Sequence, residues 1–223
     1  SITFTNHVYD SRYNYMKRNI VLLALSQAAL ITGTSTLLAS SAIVGLALAG
    51  HKSLATLPLA LLFLAQMATT VPASLYMASV GRRTGFMTSS LFGLAGAAVA
   101  TAGVINASFG IFCLGTSLIG MFNGFGQYYR FTAAEVAPED YRSRAISYVL
   151  AGGIIAAFAG PNLANWSRHS LSAEFAGSYA CLIGLYLLAF GFAFLLQVPK
   201  PAVVARSTGG RPLSVIARQP AYL

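Results

Sequence analysis

The sequence predicts an all-α membrane protein with six transmembrane helices and both termini in the cytoplasm. Hydrophobic residues make up 56% of the 223 residues and charged residues only 9%, with a mean hydropathy of +0.67. A soluble domain has about a quarter of its residues charged. A chain this apolar cannot cover its core with polar side chains, so its solvent is expected to be lipid.

The first half of the chain contains three apolar stretches of roughly the 20 residues that a spanning helix needs. The first is expected at about 20–49, because an apolar run follows the polar start and ends before His51. The second is expected at about 55–78 and ends at the basic turn 81–85. The third is expected at about 86–105.

The second half of the chain repeats this pattern. A fourth span is expected at about 109–131, followed by a charged loop from Ala133 to Arg144. The fifth is expected at about 145–166 and the sixth at about 178–198, ending before Pro199. Spans three and six carry the fewest polar side chains and are expected to face lipid.

The basic residues assign a side of the membrane to each connection. Taken alternately, the connections place all but two of the 14 Lys and Arg on one face, and only Lys52 and Arg168 on the other. Positive charge in short loops is retained in the cytoplasm. We therefore predict a cytoplasmic segment at 1–19, a six-helix transmembrane bundle at 20–198, and a basic cytoplasmic tail or inter-bundle linker at 199–223. The cations on the predicted inner face are Arg12, Lys17, Arg18, Arg82, Arg83, Arg130, Arg142, Arg144, Lys200, Arg206, Arg211 and Arg218.

Polar side chains recur on one face of two spans. In span one they are spaced by seven residues, and in span four by three or four, as residues on one helix face are. Polar groups at membrane depth turn toward a bundle interior or a water-filled cavity. The alternative is hydrogen bonding between structural helices or, for the arginine, a helix-end side chain that reaches the interface. We expect five of them to line a substrate path: Gln27, Thr34, Asn123, Gln127 and Arg130.

Glycine spacing predicts close helix packing in two spans. Gly120 and Gly124 form a G-x-x-x-G step in span four. Gly152, Gly153 and Gly160 are similarly placed in span five. Such steps let helix backbones approach each other in membranes.

The titratable residues argue against enzyme and nucleic-acid functions. The 5 acidic residues and 3 histidines are all expected outside the spans. No nucleophile–base pair, His/Cys metal cluster or phosphate loop appears, so we predict no enzyme activity and no cofactor. The cations are divided among short loops and form no stripe, so we expect the lipid bilayer rather than nucleic acid as their partner.

The basic turn carries a resemblance to a known family. In major facilitator transporters the loop between the second and third helices usually reads G-x-x-x-D-R-x-G-R-R. The final three residues match at Gly81, Arg82 and Arg83, whereas Ala78 and Ser79 stand where the family has Asp and Arg. The chain thus resembles the amino-terminal half of such a transporter. The resemblance implies two inverted three-helix repeats, alternating access against a second six-helix bundle, and a cytoplasmic gate turn at residues 81–83.

Several strings are similar to one bacterial branch of this family, which includes copper importers. They are Gly124–Phe131, Arg142–Ser147 and Gly160–Trp166. The resemblance implies a bacterial inner membrane and a small-molecule or metal-ion substrate, with copper as one candidate. The metal ligands proposed for that branch lie in the seventh and eighth helices, so no ligand is assigned here.

A second hypothesis differs in class. A half-transporter with altered family positions could serve as a non-transporting structural or assembly subunit of a larger membrane complex. Its partner would then be another membrane subunit rather than a second bundle.

The topology can be tested by labelling. A cysteine at Thr84, in the basic turn, should react with a membrane-impermeant maleimide in inside-out vesicles and not in intact cells. Ser170→Cys, in the loop between spans five and six, is the matched control and should show the opposite pattern. The native Cys113 and Cys181 provide the background signal. Labelling of the Thr84 position only from outside the cell would reverse the predicted orientation.

Overall fold

The computed structural model describes the backbone of residues 2–171 and 173–198, and the side chains of 14–171 and 173–198. The predicted tail at 199–223 lies outside the described residues. The described part is helical and contains no strand, and six segments are long and apolar enough to cross a membrane. This confirms the predicted all-α class with six candidate spans, while the cytoplasmic placement of both termini stays a prediction. The helices are α1 (Ile2–Ala49), α2 (Leu57–Val80), α3 (Arg82–Ile105), α4 (Phe109–Gly126), α5 (Tyr129–Val136), α6 (Arg142–Trp166) and α7 (Ala176–Leu195).

Helix α1 begins earlier and α7 ends earlier than the predicted spans, and hydrogen bonds at Gln197 join the two helices. Helix α1 starts at Ile2, ahead of the predicted span at 20–49. The Asn19 side chain donates from Nδ2 to the Gln197 carbonyl oxygen at 2.7 Å and accepts the Gln197 N–H at 3.1 Å. The Tyr15 hydroxyl donates to the same carbonyl. The backbone of Gln197 is therefore bound to α1 instead of continuing α7. Helix α1 runs unbroken through residues 19 and 20, and the division between a cytoplasmic segment at 1–19 and the bundle at 20–198 stays a prediction.

The fourth predicted span is two helices, which corrects the expectation of one continuous helix at 109–131. Helix α4 ends at Gly126 and α5 begins at Tyr129. The Tyr128 N–H donates to the Phe125 carbonyl at 3.0 Å, so the chain tightens to an i→i−3 bond at the break. The charged loop predicted to start at Ala133 is shortened in consequence, because α5 continues to Val136.

The basic turn between α2 and α3 depends on one glycine. Gly81 has φ 92°, a conformation that side chains with a Cβ rarely adopt. Its N–H donates to the Met77 carbonyl at 3.0 Å, which closes α2, and its own carbonyl accepts the Gly85 N–H at 3.1 Å, which opens α3. Helix α3 consequently starts at Arg82 rather than residue 86.

The pairwise packing of the helices agrees with two inverted three-helix repeats. The main contacts join α1 with α6, α2 with α4, α3 with α4, α3 with α7, and α1 with α7. Spans one to six correspond to α1, α2, α3, α4 with α5, α6 and α7. Exchanging α1 with α4, α2 with α6 and α3 with α7 leaves this set of pairs unchanged. That invariance is expected when the two halves of a bundle repeat one three-helix unit in opposite orientation.

Two helix interfaces place glycines against carbonyl oxygens of the neighbouring helix. A Cβ added at any of these positions would overlap the neighbouring backbone or press hard against it. Such approaches allow van der Waals and Cα–H···O contacts that larger residues prevent. The glycine predictions for spans four and five are therefore confirmed. The pairs are Gly120 with Leu62 and Gly124 with Gln66 between α4 and α2, and Gly152 with Ala24 and Gly160 with Thr32 between α6 and α1.

The α2–α4 contact gives a stability prediction. Gly120→Ala should lower the free energy of unfolding by ~2 kcal/mol, because its methyl group would overlap the Leu62 carbonyl and separate the helices. The midpoint of thermal unfolding in detergent should fall by ~5 °C, measured in a Cys181→Ser background with a thiol-reactive dye, because Cys181 is exposed in the folded protein and Cys113 is buried. Gly184→Ala is the matched control, because a Cβ at Gly184 meets nothing within 4 Å. Equal midpoints for the two variants would contradict the packing argument.

Candidate functional site

The predicted path residues of α1 and α4 meet at one polar contact. Asn123 donates from Nδ2 to the Thr34 hydroxyl oxygen at 2.9 Å, and Thr34 donates to the Leu30 carbonyl at 3.0 Å. Asn123 is only 1% exposed. Its Oδ1 has no hydrogen-bond partner among the described residues. A buried amide oxygen left unpaired costs ~1–3 kcal/mol, so the bundle keeps an unused acceptor beside Thr34.

The other three predicted path residues lie nearer the basic turn and do not touch this contact. Gln27 is half-buried and faces α6, where a Cβ on Gly153 would lie 3.4 Å from Gln27 Cγ. Gln127 is half-buried at the break between α4 and α5. Arg130 is exposed on α5, with its guanidinium 5.0 Å from the ring centroid of Phe131. A hydrated path through these positions stays a prediction.

Several neighbouring polar residues of α1 hydrogen-bond to other helices. The Thr32 hydroxyl donates to the Ala156 carbonyl at 3.3 Å, and the Thr36 hydroxyl donates to the Gly160 carbonyl at 3.1 Å. These bonds join α1 to α6. Inter-helix hydrogen bonding therefore accounts for Thr32 and Thr36, which lie outside the predicted seven-residue stripe of span one.

Helix α7 contributes buried side chains that sequence reasoning missed. Tyr186 is fully buried, and its ring centroid is 4.8 Å from that of Phe122. Its hydroxyl group occupies the space that a side chain at Gly33 would need. Tyr179 is also fully buried and shares a 2.8 Å hydrogen bond with Ser40. The seven-residue spacing of the two tyrosines was the available signal. The expectation that span six faces lipid thus holds for only one side of α7.

The first arginine of the predicted gate turn is bound to α5. Arg82 donates from Nε to one oxygen of Glu135 at 3.0 Å and from Nη2 to the other at 2.6 Å. The guanidinium carbon also lies 5.6 Å from the ring centroid of Tyr128, whose hydroxyl donates to the Thr70 carbonyl at 2.8 Å. Two parallel bonds to one carboxylate fix both position and orientation. Glu135 is expected in a loop from the sequence, so this ion pair could not be predicted. We call the Arg82–Glu135 ion pair the latch.

The second arginine of the turn points elsewhere. The guanidinium carbon of Arg83 lies 5.0 Å from the ring centroid of Phe194 on α7. Gly81 thus precedes two arginines that bind opposite neighbours, one toward α5 and one toward the end of α7. The two arginines of the turn therefore contact different helices, and a gate role for residues 81–83 stays a prediction.

Two helices leave broad apolar faces uncovered. Of the six candidate spans, those of α2 and α6 have the smallest share of buried residues, at 17% and 22%. Helix α2 packs on α4, and α6 packs on α1. The uncovered faces therefore flank the two helices that meet at Thr34 and Asn123. Their large exposed side chains include Met67, Val71 and Leu75 on α2, and Ile154, Ile155 and Phe158 on α6.

Six spanning helices in two inverted repeats, with polar groups on the central pair, define one half of a membrane transporter of the major facilitator type. The family model described as "Sugar (and other) transporter" matches residues 6–200, and the chain belongs to this family.

Two curated proteins are similar to the chain. It is 39% identical over 212 residues to the riboflavin transporter RfnT of Brucella anthropi, an alignment that covers 93% of this chain and 53% of that protein. It is 26% identical over 203 residues to the uncharacterized MFS-type transporter YdeG of Bacillus subtilis, covering 89% and 47%. The chain therefore spans about half the length of the curated relatives it matches.

The copper-importer expectation gains no support from these relatives. The more similar one is named as a riboflavin transporter. Among the described residues, no group of three or more His, Cys, Asp or Glu side chains could hold a metal ion.

The Arg82–Glu135 latch can be tested by a double-mutant cycle. Replacing Arg82 and Glu135 by Gln, singly and together, should give a coupling free energy of ~1 kcal/mol, because the pair is bidentate and only partly exposed. The matched control is Arg142 with Glu139, an exposed pair at 3.6 Å, which should couple by less than ~0.5 kcal/mol. Thermal unfolding in detergent is the measurement, and equal couplings for the two pairs would count against the latch.

Proposed function

We propose that the protein is one half of a major facilitator carrier that moves a small, uncharged organic solute across the bacterial inner membrane by alternating access. Membership of the transporter family supports the carrier function. The observation that carries the solute class is the 39% identity, over 93% of this chain, to a protein named as a riboflavin transporter. We propose a solute of the riboflavin type, a flat conjugated ring with carbonyl groups and a hydroxylated side chain.

The side chains proposed for the path fit such a solute. Thr34, Asn123, Gln27 and Gln127 offer hydroxyl and amide groups, which hydrogen-bond to carbonyls and hydroxyls without requiring charge. The unpaired Oδ1 of Asn123 is an acceptor that a solute hydroxyl or ring N–H can use. A buried acceptor that is satisfied only when solute is bound favours binding of hydrogen-bonding solutes over apolar ones.

The second bundle is proposed to dock on the uncovered faces of α2 and α6. These helices flank the central pair, so a second bundle there would enclose Thr34 and Asn123 between the two halves. The latch of Arg82 on Glu135 would hold the turn between α2 and α3 to α5 during rocking. Gly81, Arg82 and Glu135 would then move as part of one rigid body at the gate.

Uptake of labelled riboflavin tests this function. A riboflavin-auxotrophic bacterium that expresses the full reading frame should accumulate riboflavin above the empty-vector level. Asn123→Leu should reduce the initial rate about tenfold at low substrate, because it removes a hydrogen-bonding group of the proposed path. Thr116→Val is the matched control, because the buried Thr116 hydroxyl donates only to the Cys113 carbonyl of its own helix.

Both variants are compared at equal protein level in the membrane. No riboflavin accumulation with the unaltered protein would reject the solute, and uptake of no organic solute would favour the non-transporting subunit. Equal rates for Asn123→Leu and Thr116→Val would reject the proposed path while leaving the carrier function standing.

A further inference from the structure

A basic groove lies on the outer surface of the bundle, away from the Thr34–Asn123 contact. Its volume is about 410 Å³, and it opens between α1, α3 and the end of α7. The start of α3 places it at the membrane face that carries the basic turn. The residues that line it are Arg18, Leu22, Arg83, Phe194, Leu195 and Gln197.

The groove has a fixed frame. Asn19 is fully buried and binds both the N–H and the carbonyl of Gln197, at 3.1 and 2.7 Å. This pairing holds the end of α7 against α1 directly beside Arg18. On the other wall, Gly81 sets the start of α3, and Arg83 lies over the ring of Phe194. The two guanidinium groups are therefore presented by backbone segments that are anchored in place.

The lining suits a ligand that has both an anionic group and an apolar part. Its two charged side chains are both arginines, and none of the described lining residues is acidic. The other wall is apolar: Leu22 is buried, and Phe194 and Leu195 are exposed. Arginine is suited to phosphate because its planar fork donates two parallel hydrogen bonds. A phosphate beside an alkyl chain would satisfy both parts of the groove.

We propose that this groove binds an anionic phospholipid, with the headgroup phosphate between Arg18 and Arg83 and an acyl chain along Leu22, Phe194 and Leu195. Basic pockets between transmembrane helices are suited to anionic headgroups because the phosphate lies at the depth of the helix ends. The chain's own residues 199–223 contain no Asp or Glu, so their side chains offer no counter-charge for the two arginines. The lipid bound here would hold α1, α3 and α7 together at one face. The proposal is independent of which solute is carried.

Native mass spectrometry on the protein expressed from its full reading frame tests the proposal. The protein is released from nanodiscs that contain phosphatidylglycerol and phosphatidylcholine in equal amounts. We expect retention of one phosphatidylglycerol in preference to phosphatidylcholine. Arg18→Gln with Arg83→Gln should weaken that preference by about tenfold or more, since two guanidinium–phosphate contacts are lost.

The matched control is Arg142→Gln with Arg144→Gln, which removes the same charge from the start of α6, outside the groove. It should leave the preference unchanged. An equal loss in both double variants would show a general charge effect and overturn the site, as would an unchanged preference in the groove variant. Arg18→Lys with Arg83→Lys keeps the charge and should retain part of the preference, which excludes misfolding as the cause of a loss.

A second arm separates a lipid from a soluble anion. The thermal unfolding midpoint in detergent is measured with added phosphatidylglycerol, inorganic phosphate or glycerol 3-phosphate. Phosphatidylglycerol should raise the midpoint by several degrees in the unaltered protein and not in the groove variant. An equal rise with inorganic phosphate or glycerol 3-phosphate would assign the site to a free anion and overturn the lipid proposal.

Discussion

The close approach of α4 to α2 and of α6 to α1 is the constraint on which the bundle depends. Lipid tails are as apolar as the helices, so burying apolar side chains against another helix gains little in a membrane. Helix association therefore rests on van der Waals contact and on hydrogen bonds. Glycines at both interfaces let the backbones touch, and Thr32 and Thr36 add hydrogen bonds to α6 at the same place. The two central helices are thereby fixed against opposite neighbours, and α3 and α7 pack around them.

This arrangement explains why the polar groups of α1 do not all serve one purpose. The Thr32 and Thr36 hydroxyls donate to backbone carbonyls of α6, and Ser40 shares a hydrogen bond with Tyr179 on α7, so these side chains join helices. Asn123 differs because one half of its amide is bonded to Thr34 and the other half is unpaired although buried. A structural hydrogen bond and an available acceptor thus coexist in one side chain. The fixed contacts around it hold that acceptor at a defined place.

The sequence was sufficient for the features that depend on composition and spacing, and insufficient for those that depend on distant contacts. Six spans, the glycine steps and the turn at Gly81 follow from local patterns, and the structure confirms them. The hydrogen bond between Asn19 and Gln197 does not, because the two residues are 178 positions apart in the chain. The role of Glu135 was missed for the same reason, since its partner Arg82 is 53 residues distant. The proposed path was partly predictable. The spacing of its polar residues is a local pattern, but of the five predicted residues the structure shows a hydrogen bond only between Thr34 and Asn123.

The two adjacent arginines of the basic turn show how one motif can have two roles. Arg82 points to α5 and is held by a carboxylate, whereas Arg83 points to α7 and borders a groove without one. Consecutive residues in the first turn of a helix lie about 100° apart around its axis, so they reach different neighbours. An anion bound by Arg83 would contact the turn between α2 and α3 from the side of α7. Glu135 contacts the same turn from the side of α5. Because both contacts act on the start of α3, a lipid in the groove and the latch on Glu135 would stabilise the same orientation of the turn. Lipid composition would then affect the orientation of the turn between α2 and α3 through Arg83.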